Sequence, residues 1–138
     1  PVRMNVRVGS TLPTALSAIG QVFAAYLPAS LIDPQIELEE KHYGGSHDAG
    51  EFDHILTRVR QRRLNRNVGT YIPGVSALAA PVFDAQGRLV AAVGLLGHQA
   101  SLDTSWTGSV VQNLDRTARD ISEQLGFADP ENPGAQRN

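Results

Sequence analysis

With 138 residues, 41% hydrophobic and 19% charged, the chain has the make-up of one ordinary globular domain built round a single core. Its formal net charge of −2 gives no overall field favouring nucleic acid or an acidic membrane surface. It contains no cysteine, which excludes disulfides, a thiolate nucleophile and cysteine-ligated zinc, and no apolar run approaches the roughly 18 residues of a membrane span.

Residues 2–8 alternate, with Val2, Met4, Val6 and Val8 on one face and Arg3, Asn5 and Arg7 on the other, which predicts a half-buried strand. That pattern opens at Pro1 with neither an initiator methionine nor a signal peptide, so the chain is expected to be a piece of a longer, cytoplasmic protein. After a turn at Gly9, Ser10 and Thr11, a helix is predicted over residues 14–27, with Thr14 as N-cap and Pro28 as its stop. Leu16, Ile19, Val22, Phe23, Tyr26 and Leu27 are its apolar residues. Small Ala15, Ser17, Ala18 and Gly20 let its backbone approach a partner closely. Gly20 in a helix interior costs about 1 kcal/mol against alanine, so a packing reason is expected for it.

Residues 29–43 read as a weaker helix interrupted by Asp33-Pro34 and carrying Glu37, Glu39 and Glu40. Gly44, Gly45 and Ser46 form a loop. A clearer helix opens at Asp48, whose spacing to Glu51 is that of a capping box, and runs to about residue 64 with Phe52, Ile55, Leu56 and Val59 as its buried stripe. Five of the twelve basic residues follow as Arg58, Arg60, Arg62, Arg63 and Arg66. They make either a clamp for phosphate or carboxylate, or a solvated face whose charge suits a helix C-terminus; the second is the simpler reading.

The stretch YIPGVSALAAPVFDAQGRLVAAVGLLGH, residues 71–98, predicts two apolar strands joined by a tight turn at 84–88 in which Gly87 takes positive φ. Alternation is weak because Ala77, Ala79, Ala80, Ala91, Ala92 and Gly94 fill positions where a solvated strand carries polar groups. These strands are therefore covered on both faces, or face a cavity on one of them. A long helix is predicted over 106–125, with Val110, Val111, Leu114, Ala118, Ile121 and Leu125 at helical spacing and Gly126 ending it. Residues 127–138 are polar and rich in proline and glycine, so the domain is expected to span 1–126 and to end in a flexible tail. The order strand, helix, helix, helix, strand, strand, helix predicts an α/β (α+β) fold with an antiparallel sheet and helices on both faces.

The segments GSTLPTALSAIGQVFAAYLP, TRVRQRRL and YIPGVSALAAPVFDAQGRLVAAVGLLG occur here in the order found in the effector-binding domain of IclR-type transcriptional regulators, which this chain resembles over most of residues 8–125. The resemblance implies a GAF-like fold, a bacterial regulator working as a homodimer or homotetramer, and contact with operator DNA only through an N-terminal winged helix-turn-helix. That DNA-binding part, and the first helix and strands of the sensory domain, are not in this sequence. The resemblance also implies a small organic acid as effector, bound between the sheet and the helix after the Leu12-Pro13 motif. The matching positions are Met4, Leu12, Ala18, Ile19, Asn67, Ala77, Gly94 and Leu96, with Ser17 or backbone N–H groups near the helix start available to a carboxylate. Asn67 falls where some members place an acidic side chain. Ala77, Gly94 and Leu96 lack the hydroxyl or thiol groups that several members carry there, which favours an aromatic or branched acid over a very small polar one. No cofactor is implied.

Two other readings follow from the residues alone. His47, Glu51 and His54, at i, i+4 and i+7, have a spacing compatible with metal ligation and so with a metal-dependent enzyme, although exposed His and Glu at a helix start are common. A dimerisation module with a vestigial pocket is the other. The hairpin offers no converging titratable groups: Ser76 lacks the setting of an elbow nucleophile and reads as a satisfied strand hydroxyl, and His98 reads as a loop residue. No catalytic residue is expected.

Overall fold

The computed structural model describes residues 6–132. Among them are α1 (Ala18–Tyr26), α2 (Ala29–Tyr43), α3 (Ala49–Arg62), β1 (Asn65–Val68), β2 (Val75–Phe83), β3 (Leu89–His98) and α4 (Ser109–Gln124), in that order. The three strands form an antiparallel sheet in the order β1-β2-β3. Most of the strand predicted over residues 2–8 lies outside the described residues, and residues 6–8 carry no strand.

The central strand β2 is buried along most of its length because its two faces meet different helices. Ala79 belongs to the core formed by α1, α2 and α3, with Val22, Ile32, Ile36, Leu56 and Val59. Leu78, Ala80 and Val82 point the other way, into a core with Val111, Leu114 and Ala118 of α4. This is the α+β arrangement expected from the sequence, with helices on both faces. The small residues of the hairpin are what let α1 and α4 come close.

Ends of elements are set by particular side chains. Ser17, not Thr14, is the N-cap of α1: its Oγ accepts from Gly20 N at 3.0 Å. Thr14 is taken up elsewhere, by Glu39. Gly20 has the packing reason its position demanded, since a Cβ there would stand 2.5 Å from Thr14 O and 2.6 Å from Thr14 Cα. Asp48 caps α3 through Glu51 N at 2.8 Å, as its spacing predicts. Where the β2–β3 pairing slips between Val82 and Phe83, the Phe83 N–H donates to Ser122 Oγ of α4 at 3.0 Å.

The segment after α4 departs from the expected free tail. Phe127 packs its ring against Phe83, with centroids 5.1 Å apart, and Asp129 is buried. The strand β1 was not anticipated. Its sequence, Asn-Arg-Asn-Val, is polar, yet Asn65 and Asn67 are buried because their side chains bond the start of α1.

Candidate functional site

A cavity of about 260 Å³ opens between the first turn of α1 and the face of β2 and β3 that looks toward it. The segment before α1 contributes Leu12, and α1 and its cap contribute Ser17, Ala18 and Ile19. β1 contributes Asn67, β2 contributes Ala77, and β3 contributes Gly94 and Leu96. The structure thus brings together the positions that the family resemblance picked out, apart from Met4, which lies outside the described residues. Val6, Tyr71, Ile72, Val75, Leu78 and Leu95 complete the wall. Val75 was legible in principle, since it shares a strand face with Ala77. Tyr71 and Ile72 lie in irregular chain before β2, where no periodicity points to them.

Sheet register explains the convergence. Asn67 pairs with Ala77, and Ala77 pairs with Leu96, so three strands present one row of residues to the cavity. Gly94 faces Ala79 across the β2–β3 ladder, and Ile19 lies directly over it: a Cβ on Gly94 would be 2.6 Å from Ile19 Cδ1. The missing side chain is therefore filled by the helix rather than left open.

Among the described residues no charged side chain lines this cavity, and its polar groups are few. Asn67 is already engaged. Its Nδ2 donates to Leu16 O at 3.0 Å, and its Oδ1 accepts from both the N–H and the hydroxyl of Thr70. Ser17 Oγ serves as the α1 cap. That cap satisfies Gly20 and leaves the N–H groups of Ala18 and Ile19, in the first turn, outside the ladder of the helix. The positive end of the α1 dipole thus meets an apolar chamber, a setting that favours one anionic group. A buried pair, Asn65 and Gln21, fixes that turn: Asn65 Nδ2 donates to Ala18 O at 3.0 Å and to Gln21 Oε1 at 2.8 Å, and Gln21 Nε2 donates to Ala15 O at 2.9 Å.

The other candidates from the sequence disperse. His47 Nδ1 is 2.6 Å from Glu40 Oε1 and its ring lies edge-on to Phe52. Glu40 rather than Glu51 or His54 is its partner, and among the described residues no three His, Asp or Glu side chains gather as a metal site. The arginines do not form a clamp. Arg60 donates to Ala25 O at 2.7 Å, Arg63 is buried against Asp129, and the guanidinium groups of Arg62 and Arg66 each stand 4.1 Å from the centre of the Trp106 ring. Burial, then the charges of Arg62 and Arg58, push the Arg66 pKa down. Ser76 is buried but has no hydrogen-bond partner among the described residues, so the expected satisfied hydroxyl is not found. His98 is the last residue of β3.

The family described as "Bacterial transcriptional regulator IclR C-terminal" matches residues 1–123. The HTH-type transcriptional regulator RhmR of Escherichia coli K12, itself uncharacterised, is 27% identical over 125 residues, which is 88% of this chain and 48% of that protein. The glycerol operon regulatory protein of Streptomyces coelicolor is 27% identical over 128 residues, 90% of this chain and 50% of that protein. The chain thus spans about half the length of these relatives. Among solved structures, Pseudomonas aeruginosa HmgR superposes with a TM-score of 0.80 at 35% identity, covering 88% of this chain and 49% of that one. The inducer-binding domain of PobR from Acinetobacter, a double mutant in complex with 3-hydroxybenzoic acid, superposes with a TM-score of 0.63 at 25% identity, over 86% of this chain and 67% of that one.

Proposed function

This chain belongs to the IclR-type bacterial transcriptional regulators, as their C-terminal domain, and from that premise we propose that its cavity senses a small organic acid, aromatic or branched. The observation that carries this reading is the pairing of an apolar chamber with the N-terminal turn of α1. About 150 Å³ of apolar space is enough for a benzene ring, so about 260 Å³ accommodates one ring and a carboxylate. The ring lies against Leu96 and Ala77, and the carboxylate takes the N–H groups of Ala18 and Ile19, helped by Ser17. Affinity comes mainly from apolar burial, at roughly 25 cal/mol per Å². A very small acid buries little and leaves the chamber wet. The similar PobR domain with its bound 3-hydroxybenzoic acid supports this ligand class.

The domain does no chemistry in this reading. In the cytoplasm of a bacterium it reports ligand occupancy to a separate DNA-binding domain and helps hold the regulator as a dimer or tetramer. The apolar stripe of α4 is consumed in covering the sheet, whereas β3 is an edge strand among the described residues with Val90, Leu95 and Leu96 exposed. That uncovered edge supports self-association there.

Thermal melting against a panel of acids tests the ligand class. At a hundred times its dissociation constant a ligand stabilises the fold by roughly 2.7 kcal/mol, seen as a rise of several degrees. Substituted benzoates are expected to give this shift, and Ala77→Phe, which fills the chamber, to abolish it. Stabilisation by glyoxylate or pyruvate with none by benzoates would overturn the assignment.

A further inference from the structure

The turn leading into α1 carries two residues of the cavity wall at its ends, and a single carboxylate holds it from behind. Leu12 and Ser17, at its two ends, both line the cavity, and residues 13–16 between them form neither helix nor strand. At its middle, Thr14 gives its backbone N–H to Glu39 Oε1 at 2.7 Å and its hydroxyl to Glu39 Oε2 at 2.6 Å. Gln35, one turn earlier on α2, donates to the same Oε2 at 3.2 Å and keeps the carboxylate oriented. The far end of the turn is fastened to the sheet, where Leu16 O accepts from Asn67. Behind the turn lies a second cavity of about 310 Å³, bordered by Pro13, Leu16, Glu39 and Tyr71. The turn thus has open space behind it, while Thr14 backs onto Gly20 of α1, and of residues 13–16 only Ala15 is buried. Hydrogen bonds, two of them to an ionised group and correspondingly strong, set its position.

We propose that Glu39 is the positioning residue of the cavity: through Thr14 it holds the 12–17 wall closed and keeps the first N–H groups of α1 aimed at a bound acid. The proposal rests on the ligand-sensing reading above and adds the residue that couples the site to α2. Since α2 buries only Ile32 and Ile36 among its side chains, a ligand that presses on the wall has a lightly anchored helix to move. By linkage, whatever favours the α2 position that the bound ligand favours also tightens the site.

Three variants and two readouts test it. Glu39→Gln removes the charge at constant shape, Thr14→Val removes the hydroxyl donor, and Thr14→Ser keeps both donors. In Glu39→Gln and Thr14→Val, amide hydrogen exchange over residues 14–20 is expected to accelerate about tenfold. The amides of α3 and β2 keep their parental rates, and Thr14→Ser behaves as the parent. The second readout is stopped-flow binding of 3-hydroxybenzoate, which is expected to dissociate about tenfold faster from the first two variants and at the parental rate from Thr14→Ser. Unchanged exchange over 14–20, equal acceleration throughout the domain, or Thr14→Ser resembling Thr14→Val would each overturn the proposal, as would looser exchange with unaltered ligand kinetics. If 3-hydroxybenzoate fails to bind the parent at all, the ligand class is wrong, and the exchange pattern alone then decides the role of Glu39.

Discussion

Arg63 and Asp129, 66 residues apart, meet at 2.8 Å in a largely buried ion pair that closes the segment after α4 onto the domain. Arg63 adopts a left-handed conformation at φ 52° as the C-cap of α3, and its guanidinium lies 5.5 and 5.6 Å from the rings of Phe83 and Phe127. Arg119 donates to the other Asp129 oxygen at 3.1 Å.

Burial works to raise the Asp129 pKa, but hydrogen bonds from Arg63 and the Glu131 N–H outweigh it and hold the carboxyl below its usual range. A pKa depressed in the folded state means that the ionised form stabilises folding. The contribution is complete above the unfolded value of about 3.9 and is lost as pH falls through the folded one. Asp129→Asn should flatten the acid limb of the stability curve. It should also cost about 2 kcal/mol at neutral pH, because the buried Arg63 loses its nearest counter-charge and keeps only Glu131 at 3.5 Å. Denaturant melts of parent and variant from pH 7 to pH 2 check both; superimposed curves would show that the pair contributes nothing.

Gly20→Ala gives a sharper result than helix propensity suggests. Alanine in a helix interior gains about 1 kcal/mol over glycine, yet here the new methyl would stand 2.5 Å from a backbone carbonyl that cannot swing aside as a side chain can. Net destabilisation of about 2 kcal/mol or more is expected. A raised melting temperature would show that the turn before α1 moves freely.

What the sequence made legible was local. The two hairpin strands, the turn with Gly87 and the Asp48 cap were all readable because turns and caps are decided within a few residues. The start of α1 was misplaced because Thr14 is claimed by Glu39, 25 residues away, so its hydroxyl cannot cap. β1 was invisible because its buried residues are asparagines, whose burial is compensated only once α1 lies beside them. The docked segment after α4 was missed for the same reason: Asp129 looks like a tail residue until Arg63 and Arg119 are placed. The cavity positions came from family resemblance, not from pattern, since small apolar residues on a strand read equally well as packing for a helix.

This domain alone should not hold DNA tightly. Tight duplex binding needs many phosphate contacts, and its salt dependence follows their number. Here Arg60 and Arg63 are turned inward to protein partners, while Arg62 and Arg66 lie on Trp106. A gel shift at moderate salt is expected to show no sequence-dependent complex; nanomolar retention of one duplex by this domain would contradict that.

The contact between Ile19 and Gly94 sets how much of the chamber is empty, and a double-mutant cycle isolates it. In Gly94→Ala the new Cβ lies 2.6 Å from Ile19 Cδ1 and 3.0 Å from Cγ1, and these are the flexible end of a side chain, not backbone. Ile19 can therefore rotate, and the direction open to it is the cavity that it already lines. The single variant should lose about 1–2 kcal/mol of stability from the forced rotamer and most of its ligand-induced melting shift. Ile19→Val removes Cδ1 and alone should cost about 1 kcal/mol, while enlarging the chamber. Combined, the two changes remove the 2.6 Å clash and leave only the milder 3.0 Å approach to Cγ1, so the double variant should be more stable than the sum of the singles predicts by about 1 kcal/mol. It should also regain the melting shift with a benzoate. Strict additivity in stability would mean that α1 and β3 do not touch through these two residues. A recovered stability without a recovered ligand shift would place the bound acid somewhere other than beneath Ile19.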